Sequence, residues 1–386
     1  MRHLTSLLLL LLLVACGSVH ERNAVPEPLA REAVIPGIPG ARILFEAGRD
    51  DLASLTAFLS KEPQAAVAGR HLHLLAVSGG GDNGAFGAGI LCGWTERKDR
   101  PEFDIVTGIS TGGLTAPFAF LGSTYDARLR ESFTTITADD IYESRGIFSI
   151  LGHRDAVADS EPLVRMIEKV FTAEDLVAVA REHARGRRLY IGTTYMDGDC
   201  LAIWDMGAIA ASGQPGALDL FRKVMLASAS IPIAFPPVYF DVEAGDRIFE
   251  EMHADGGMAT QVFGAGFLGP MLARQGAGRQ GTVYVIRNAT LTPKYEAVPA
   301  RMASLGGRAI SSLIRMQGIG DLLRNHRFTS EEGVGFRLAY IPGEFNAPKT
   351  GEFDQSYMNA LFDFAYARAR TGYPWHTNVS SLGMGD

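Results

Sequence analysis

The chain has 386 residues, of which 47% are hydrophobic and 20% are charged, and its formal net charge is −7. This is enough apolar material to bury one large core or two modest ones. The excess of acidic residues argues against a nucleic-acid-binding protein, because phosphate binding needs concentrated lysine and arginine.

The N-terminus is typical of an exported protein. The apolar run over residues 7–15 is too short to span a bilayer, which takes about twenty residues, but it has the length of a secretory signal core. Its ending, Leu13-Val14-Ala15-Cys16, is similar to the bacterial lipobox, where a peptidase cuts before the cysteine and the thiol carries a diacylglyceryl group. We therefore predict a signal peptide over residues 1–15 and lipidation of Cys16. An ordinary signal peptide with a coincidental cysteine is the alternative.

The same residues predict a location in the cell envelope. Two or more acyl chains give stable anchoring, and Gly17 follows the cysteine where an aspartate often signals retention in the inner membrane. In a Gram-negative source we expect the periplasmic face of the outer membrane. Because prolines and glycines follow, from residue 17 to about residue 40, residues 16–45 are predicted to form a lipidated N-terminus and an extended tether. The folded domain is predicted over residues 46–386.

After a short amphipathic segment from Asp50 to Leu59, apolar runs alternate with helix-like patterns. This alternation predicts an α/β fold with three layers, α/β/α, in which helices cover both faces of a mostly parallel central sheet. The clearest strands are predicted at Leu72–Val77, Phe103–Thr107, Leu189–Thr194, Val283–Arg287 and Phe336–Ile341. Helices are predicted at Gly84–Trp94, Gly112–Phe120, Ala217–Ala227, Arg301–Arg324 and Phe353–Arg370.

A glycine-rich loop, residues 78–87, follows the first predicted strand. It satisfies the dinucleotide-binding pattern through Gly79, Gly81 and Gly84, and acidic candidates for a ribose contact follow after about twenty residues. Three successive glycines also make a nest of backbone N–H groups, which can hold the oxyanion of an ester intermediate as readily as a phosphate. A mere tight turn is the third interpretation, and the loop alone does not decide among the three.

The second predicted strand leads into Gly108-Ile109-Ser110-Thr111-Gly112, and a helix-like stretch follows. Gly-x-Ser-x-Gly between a strand and a helix is typical of a nucleophile elbow, whose turn tolerates almost no side chain at Gly108 and Gly112. Ser110 is therefore the candidate nucleophile, and the backbone N–H of Thr111 is predicted to face the developing oxyanion. The glycine loop and Ser110 stand about one βαβ unit apart, so both should emerge at the same sheet edge, which favours a hydrolase over a dinucleotide-binding protein.

Two later segments complete a recognisable pattern. Residues 227–237 read Ala-Ser-Ala-Ser-Ile-Pro-Ile-Ala-Phe-Pro-Pro, and His253-Ala254-Asp255-Gly256-Gly257 follows. On its own, the Asp-Gly pair predicts only a turn. In this order, the triple-glycine loop, the serine motif, the Ala-Ser stretch and the Asp-Gly-Gly segment resemble the patatin-like phospholipase family over roughly residues 72–290.

The resemblance implies a role for each matching position. Ser110 is the expected nucleophile and Asp255 its base, in a dyad without histidine. The expected oxyanion hole consists of Gly79, Gly80, Gly81 and Thr111. Asn83 departs from the pattern, since the family usually has arginine or lysine there. That departure weakens the argument for a positively charged rim at the loop.

Other residues offer alternatives. A Ser-His-Asp triad would need His253, or else His326 or His376, which lie later in the chain. Asp82, on the glycine loop, is a rival base. Neither Cys92 nor Cys200 is assigned a role, although Cys92 lies in an apolar stretch and is interpreted as a small buried residue.

The expected function is that of a serine acyl hydrolase, a phospholipase, lysophospholipase or esterase that cleaves lipid acyl esters through an acyl-enzyme. No metal or cofactor is expected, and the expected partners are the lipid or acyl-ester substrate and the membrane that holds the anchor. Three alternatives remain: an acyltransferase that uses the same dyad, a non-catalytic envelope lipoprotein that retains the fold, and a dinucleotide-binding protein.

Overall fold

The computed structural model describes residues 21–46, 69–144, 158–276, 278–293, 295 and 297–379. The strands are β1 (Arg42–Phe45), β2 (Leu72–Val77), β3 (Ile105–Ile109), β4 (Glu143–Ser144), β5 (Ala158–Asp159), β6 (Arg188–Tyr195), β7 (Cys200–Asp205), β8 (Val238–Ala244), β9 (Arg247–Asp255), β10 (Gly281–Arg287) and β11 (Gly335–Tyr340). The helices are α1 (Gly84–Arg97), α2 (Thr111–Leu121), α3 (Asp126–Thr134), α4 (Glu161–Val170), α5 (Ala173–Ala184), α6 (Met206–Ala211), α7 (Ala217–Ser228), α8 (Ala265–Gln275), α9 (Met302–Glu332) and α10 (Gln355–Gly372). The predicted signal peptide, Cys16 and the amphipathic segment at 50–59 lie outside the described residues.

The central sheet has nine strands within the described part of the chain, and seven of them follow the order β1-β7-β6-β3-β2-β10-β11. The neighbours from β6 to β11 along this order are parallel, whereas β7 and β1 are antiparallel to their neighbours. The β8–β9 hairpin joins the same sheet, because β9 pairs antiparallel with the end of β6. The predicted mostly parallel sheet is therefore confirmed, with an antiparallel portion that the sequence analysis did not predict.

Two apolar cores lie on opposite faces of this sheet. One includes side chains of α1, α2, α7 and α10, and the other includes side chains of α8 and α9. Because β2 and β3 are covered on both faces, they are almost entirely apolar, as buried parallel strands usually are. The predicted three-layer α/β/α architecture is confirmed.

The C-terminal helix α10 packs closely on α1. A Cβ atom at Gly89 or Gly93 of α1 would overlap the backbone carbonyl of Phe362 or Tyr366, respectively. Small residues on α1 thus let the two helix backbones approach. This contact brings the C-terminal part of the chain next to the glycine loop that precedes α1.

The extended tether predicted for residues 17 to about 40 is wrong over residues 24–41. Val34 pairs with Glu243 of β8, and Ala24 pairs with Glu250 of β9. Small and aliphatic side chains between the prolines are buried in the domain, namely Val25, Ala33, Ile35, Ile38 and Ala41. The prolines and glycines therefore make turns in a folded stretch, because apolar residues spaced among them join the core.

Several elements were not predicted, among them β7, the β8–β9 hairpin and helices α3 to α6. The predicted strands and helices that carry the motifs begin and end within a few residues of those observed, except that α9 continues to Glu332. Among the described residues, no helix combines the length and the apolar character that crossing a bilayer requires.

Candidate active site

The site forms where two strands meet end to end along one edge of β6. β3 lies parallel to the first half of β6, and its last pair joins Ile109 to Gly192. β9 runs in the opposite direction against the next residues of β6, and its last pair joins Asp255 to Thr193. The C-terminal ends of β3 and β9 therefore face each other. Ser110, the residue after β3, consequently lies against Asp255, the last residue of β9.

The predicted nucleophile and base are in direct contact. The Ser110 hydroxyl donates a hydrogen bond to Oδ2 of Asp255 at 2.5 Å, and the N–H of Gly257 donates to Oδ1 at 2.7 Å. The backbone of Asp255 is fixed as well, since its N–H donates to the Ser230 carbonyl at 2.8 Å and the Thr194 hydroxyl donates to its carbonyl at 2.9 Å. The carboxylate is thus held in one orientation toward Ser110.

Burial sets the acidity of this carboxyl group. Ser110 and Asp255 are only 6% and 5% exposed. Burial raises the pKa of Asp255 to about 6, although the hydrogen bonds from Ser110 and Gly257 lower it in part. Above that pH the carboxylate is ionised, and it is a stronger proton acceptor than an ordinary aspartate.

The turn at Ser110 has the geometry of a nucleophile elbow. β3 ends at Ile109, α2 begins at Thr111, and Ser110 between them has φ 54° and ψ −126°, a conformation that non-glycine residues rarely adopt. A Cβ atom at Gly108 would overlap the carbonyl of Gly112, and one at Gly112 would overlap the carbonyls of Val77 and Ser78. Both flanking glycines are therefore sterically required.

The Ser228 side chain holds the elbow in place through hydrogen bonds that were not predicted from the sequence. Its Oγ accepts a hydrogen bond from the Ser110 N–H at 2.9 Å and donates one to the Gly192 carbonyl at 2.7 Å. The residue is fully buried at the end of α7. It lies in the Ala-Ser stretch that carried part of the family resemblance, which was the signal that could have identified it.

The glycine loop passes directly over the nucleophile. A Cβ atom at Gly79 would lie 3.1 Å from Cβ of Ser110, and one at Gly80, where φ is 158°, would overlap Asn288. Asn288 holds the loop, since its side-chain amide donates to the Ser78 carbonyl at 2.9 Å and its Oδ1 accepts from the Gly87 N–H at 3.0 Å. The structure thus brings the loop, the elbow and Asp255 together.

Backbone donors remain available beside Ser110. The Gly79 N–H donates to the Gln261 carbonyl at 3.4 Å. The N–H groups of Gly80, Gly81 and Thr111 donate to no other group in the part of the chain that the structure describes. Thr111 also opens α2, so the positive end of the helix dipole lies at the site. These donors are suited to an anionic oxygen.

A lysine from the C-terminal part of the chain lies beside the glycine loop. Nζ of Lys349 is 2.8 Å from Oδ2 of Asp82, and the Phe353 N–H donates to the same oxygen at 3.1 Å. Asn83 accepts a hydrogen bond from the Tyr357 hydroxyl at 2.7 Å. Asp82 pairs with Lys349 rather than with Ser110, so the geometry does not support it as the base. The positive charge near this loop comes from residue 349 instead of residue 83.

The structure does not bring the three candidate histidines to the dyad. His253 is buried, with Nδ1 2.8 Å from the Thr193 hydroxyl and Nε2 3.2 Å from a Glu251 carboxylate oxygen, and burial lowers its pKa. His326 packs edge-on against Phe336, and His376 packs against Tyr340. Within the described residues, no Ser-His-Asp triad is formed.

Comparisons with known proteins identify the family that the region of the site resembles. No curated protein sequence matches the chain significantly. Among solved structures, the crystal structure of VipD from Legionella pneumophila is similar at 12% identity and a TM-score of 0.37, covering 78% of this chain and 67% of that chain. That likeness is too distant to support a conclusion. The family model for patatin-like phospholipase matches residues 75–263, a stretch that contains the glycine loop, the elbow and Asp255. Over residues 75–263, the chain is therefore similar to patatin-like phospholipases.

Proposed function

We propose that the chain is a serine acyl hydrolase that cleaves acyl esters of lipids, with Ser110 as the nucleophile and Asp255 as the general base. The family of the domain supports lipid acyl hydrolase activity in general. The observation that carries the finer assignment is the 2.5 Å hydrogen bond from the Ser110 hydroxyl to the buried Asp255 carboxylate. A serine held in a strained elbow against a basic carboxylate is an arrangement suited to acyl transfer.

The reaction takes two steps through an acyl-enzyme. Ser110 Oγ attacks the ester carbonyl while its proton passes to Asp255, and the C–O bond to the alcohol then breaks as Asp255 returns the proton to the leaving alcohol. A water molecule, deprotonated by Asp255, attacks the carbonyl of the acyl-enzyme, and the bond to Ser110 Oγ breaks as Asp255 returns the proton to that oxygen, which releases the fatty acid. We assign the N–H groups of Gly80, Gly81 and Thr111 to the oxyanion of both tetrahedral intermediates, where each donor is worth about 3–4 kcal/mol.

The substrate class is inferred from the family of the matched domain, which supports lipid acyl hydrolase activity in general. The cavity next to Thr111 has a volume of only about 30 Å³, which is the volume of one water molecule, so it is a gap in the core packing and not a pocket for an acyl chain. Phospholipid or lysophospholipid esters are the proposed substrates. We further propose that a lipid on Cys16 holds the enzyme in the cell envelope, and at the outer membrane if the source is Gram-negative.

The test compares wild-type protein with Ser110→Ala and Asp255→Asn for release of fatty acid from phospholipid and lysophospholipid. Each variant should lose roughly 10³-fold or more in rate, because each removes a group that takes part in every step. Far-UV circular dichroism and thermal unfolding would establish that both variants are folded. A rate close to that of the wild type in either folded variant would contradict the proposed dyad.

The same enzyme should show a pH profile set by Asp255. Because its pKa is raised to about 6, the protonated carboxyl group cannot accept the serine proton below that pH. We expect kcat/KM to fall about tenfold for each pH unit below the midpoint and to level off above it. A profile that is flat from pH 4.5 to 8, in a protein that remains folded, would contradict Asp255 as the base.

A further inference from the structure

Helix α9 extends beyond the body of the domain. From Gly318 onward, the helix has buried residues, including Asp321, Leu322 and Asn325. In the preceding part, residues 302–317, none of the described side chains is buried. This first half of α9 lies outside residues 75–263, the stretch that the family model matches.

An apolar stripe runs along the solvent side of this exposed half. Met302, Leu305, Leu313 and Met316 are all exposed, Met302 by 91% and Leu313 by 70%. Their spacing of three, eight and three residues places them on one side of the helix. At 3.6 residues per turn, that side lies opposite the side buried from residue 318 onward. The stripe thus faces away from the core and has no partner within the described residues.

The charge of the same segment is uniformly positive. Residues 297–320 contain no aspartate or glutamate, whereas arginines recur every seven residues at Arg301, Arg308 and Arg315. The whole chain has a net charge of −7, so this segment stands out from the rest of the molecule. An exposed apolar stripe with a row of arginines along one side is complementary to a surface of anionic lipid.

The helix is connected directly to the candidate active site. The Gln317 side chain donates to the Met258 carbonyl at 2.9 Å and accepts from the Gln261 side chain at 3.2 Å. Met258, three residues after Asp255, is exposed, as is Ile233 at 67%. Ile233 lies in the loop after Ser230, whose carbonyl accepts the Asp255 N–H. Exposed apolar side chains therefore lie within three residues of Asp255 and of Ser230, which accepts its N–H.

We propose that the stripe formed by Met302, Leu305, Leu313 and Met316 docks the protein on the surface of an anionic phospholipid bilayer. Helix α9 then lies at the boundary between head groups and acyl chains, and the active-site end of the helix meets the layer that holds the substrate. The proposal rests on the proposed function, because it names the surface at which that substrate is met. A second copy of this chain is a poorer occupant, since it would bring the arginines of two identical segments together.

The first test places a fluorescent reporter on the stripe. In the full-length chain carrying Cys16→Ser, which cannot be lipidated at that position, Leu313→Cys is labelled with the environment-sensitive dye NBD. Cys92 and Cys200 are buried and should not react. Val177→Cys, at an exposed apolar position on α5 (68% exposed), is the matched control.

We expect vesicles of phosphatidylglycerol and phosphatidylcholine to shift the NBD emission of the residue-313 label to the blue and raise it severalfold. The label at residue 177 should not change. Vesicle-bound protein with an unchanged signal at residue 313 would overturn the proposal. A rise that depends on protein concentration without vesicles would overturn it too, because a second copy would then cover the stripe.

The second test removes the stripe. The triple variant Leu305→Ser, Leu313→Ser and Met316→Ser should bind the same vesicles about 100-fold more weakly, which is about 2.8 kcal/mol at 1.4 kcal/mol for each tenfold change. The double variant Val177→Ser and Ile248→Ser, at exposed positions elsewhere, should bind as the wild type does. Equal binding by the triple variant and the wild type would overturn the proposal.

Activity separates this proposal from the proposed function. In the triple variant, the ratio of fatty-acid release from vesicles to hydrolysis of a water-soluble short-chain ester should fall by a similar factor. Ser110→Ala should bind vesicles like the wild type. Vesicle binding through the stripe without hydrolysis by the wild type would count against the hydrolase alone. Hydrolysis of vesicle lipid that is unaffected by the triple variant would count against the docking surface alone.

Discussion

The two halves of the central sheet bury their strands in different ways. In the parallel half, β2, β3 and β10 are buried on both faces by helices, and almost every residue is inaccessible to solvent. In the antiparallel half, β7 is also fully buried, but along β8 buried residues alternate with exposed or half-buried ones, because one face of that strand is exposed to solvent. Ser110 follows a strand of the first half, and Asp255 ends a strand of the second. Because β6 pairs with both of these strands, the site lies where the two halves of the sheet meet, which we call the junction. The site depends on this junction rather than on either half alone.

The largest expected effect comes from disturbing the parallel side of the junction. In Gly112→Ala, the new methyl group would overlap the carbonyl of Val77 and lie 2.7 Å from that of Ser78. Alanine gains up to about 1 kcal/mol in helix propensity over glycine, but overlap with two backbone carbonyls outweighs that gain. We expect the free energy of unfolding to fall by about 4 kcal/mol or more, measured by urea denaturation.

A substitution on the antiparallel side of the same junction should lower the free energy of unfolding somewhat less. In Gly256→Ala, the methyl group would meet the Gly192 carbonyl and the Ile109 side chain, but the short turn at residues 256–258 can shift. We expect a loss of about 3 kcal/mol, the upper end of the range for overpacking. Gly216→Ala, where no atom lies within 4 Å, is the control and should change stability by less than about 1 kcal/mol. If all three alanine variants changed the free energy of unfolding by the same amount, the junction would not be tightly packed.

The contrast between strands buried on both faces and strands with one exposed face explains which strands could be predicted from the sequence. β2 was predicted over the residues observed, because Leu72–Val77 is a short apolar run between polar segments. β9 was missed, because its buried residues alternate with exposed ones and it carries Arg247, Glu250 and Glu251. A local signal did exist, since Gly245-Asp246 is a two-residue turn typical of a hairpin, and it joins β8 to β9.

The site was predictable to the extent that its parts are local. The elbow at Ser110 is a contiguous motif with a steric reason for each glycine, so it could be identified from the residues themselves. The partnership of Ser110 with Asp255 depends on β3 and β9 sharing one edge of β6, a contact between residues 145 positions apart. Only the family resemblance suggested it. The support from Ser228 and Asn288 likewise depends on distant contacts that composition and periodicity do not encode.

Burial of Asp255 at the junction should carry a cost in stability that Asp255→Asn removes. The pKa of Asp255 is raised from 3.8 to about 6, so the folded state binds more protons than the unfolded state between these values. Wild-type stability therefore falls as the pH rises from about 4 to 6 and stays lower above 6. A shift of about two units corresponds to on the order of 3 kcal/mol. We expect Asp255→Asn to be more stable than the wild type by up to this amount at pH 7.5.

The pH dependence identifies the cause of this gain. Asparagine keeps the acceptor for the Gly257 N–H, and its amide group can donate to Ser110. The difference in unfolding free energy between Asp255→Asn and the wild type should therefore shrink toward zero as the pH falls to about 4. A stability gain of the same size at pH 4 and at pH 7.5 would point to packing rather than to a buried charge.

The smallest of these effects tests whether Ser228 positions the nucleophile or only fills space. Ser228→Ala leaves the Ser110 N–H and the Gly192 carbonyl without their partner, which should lower the free energy of unfolding by about 2 kcal/mol. Ser230→Ala is the matched control, because its hydroxyl donates only to the Leu226 carbonyl of its own helix end.

A positioning role predicts that the two variants separate in catalysis. Ser228→Ala should lower kcat by roughly tenfold with little change in KM, because a displaced Ser110 affects the bond-forming step more than substrate binding. Ser230→Ala should lose stability but keep kcat. If both variants are less stable and neither has a lower kcat, Ser228 contributes to the stability of the fold and not to catalysis. The elbow would then keep its geometry through the glycines and the pairing of β3 with β6, without help from the Ser228 hydroxyl at the end of α7.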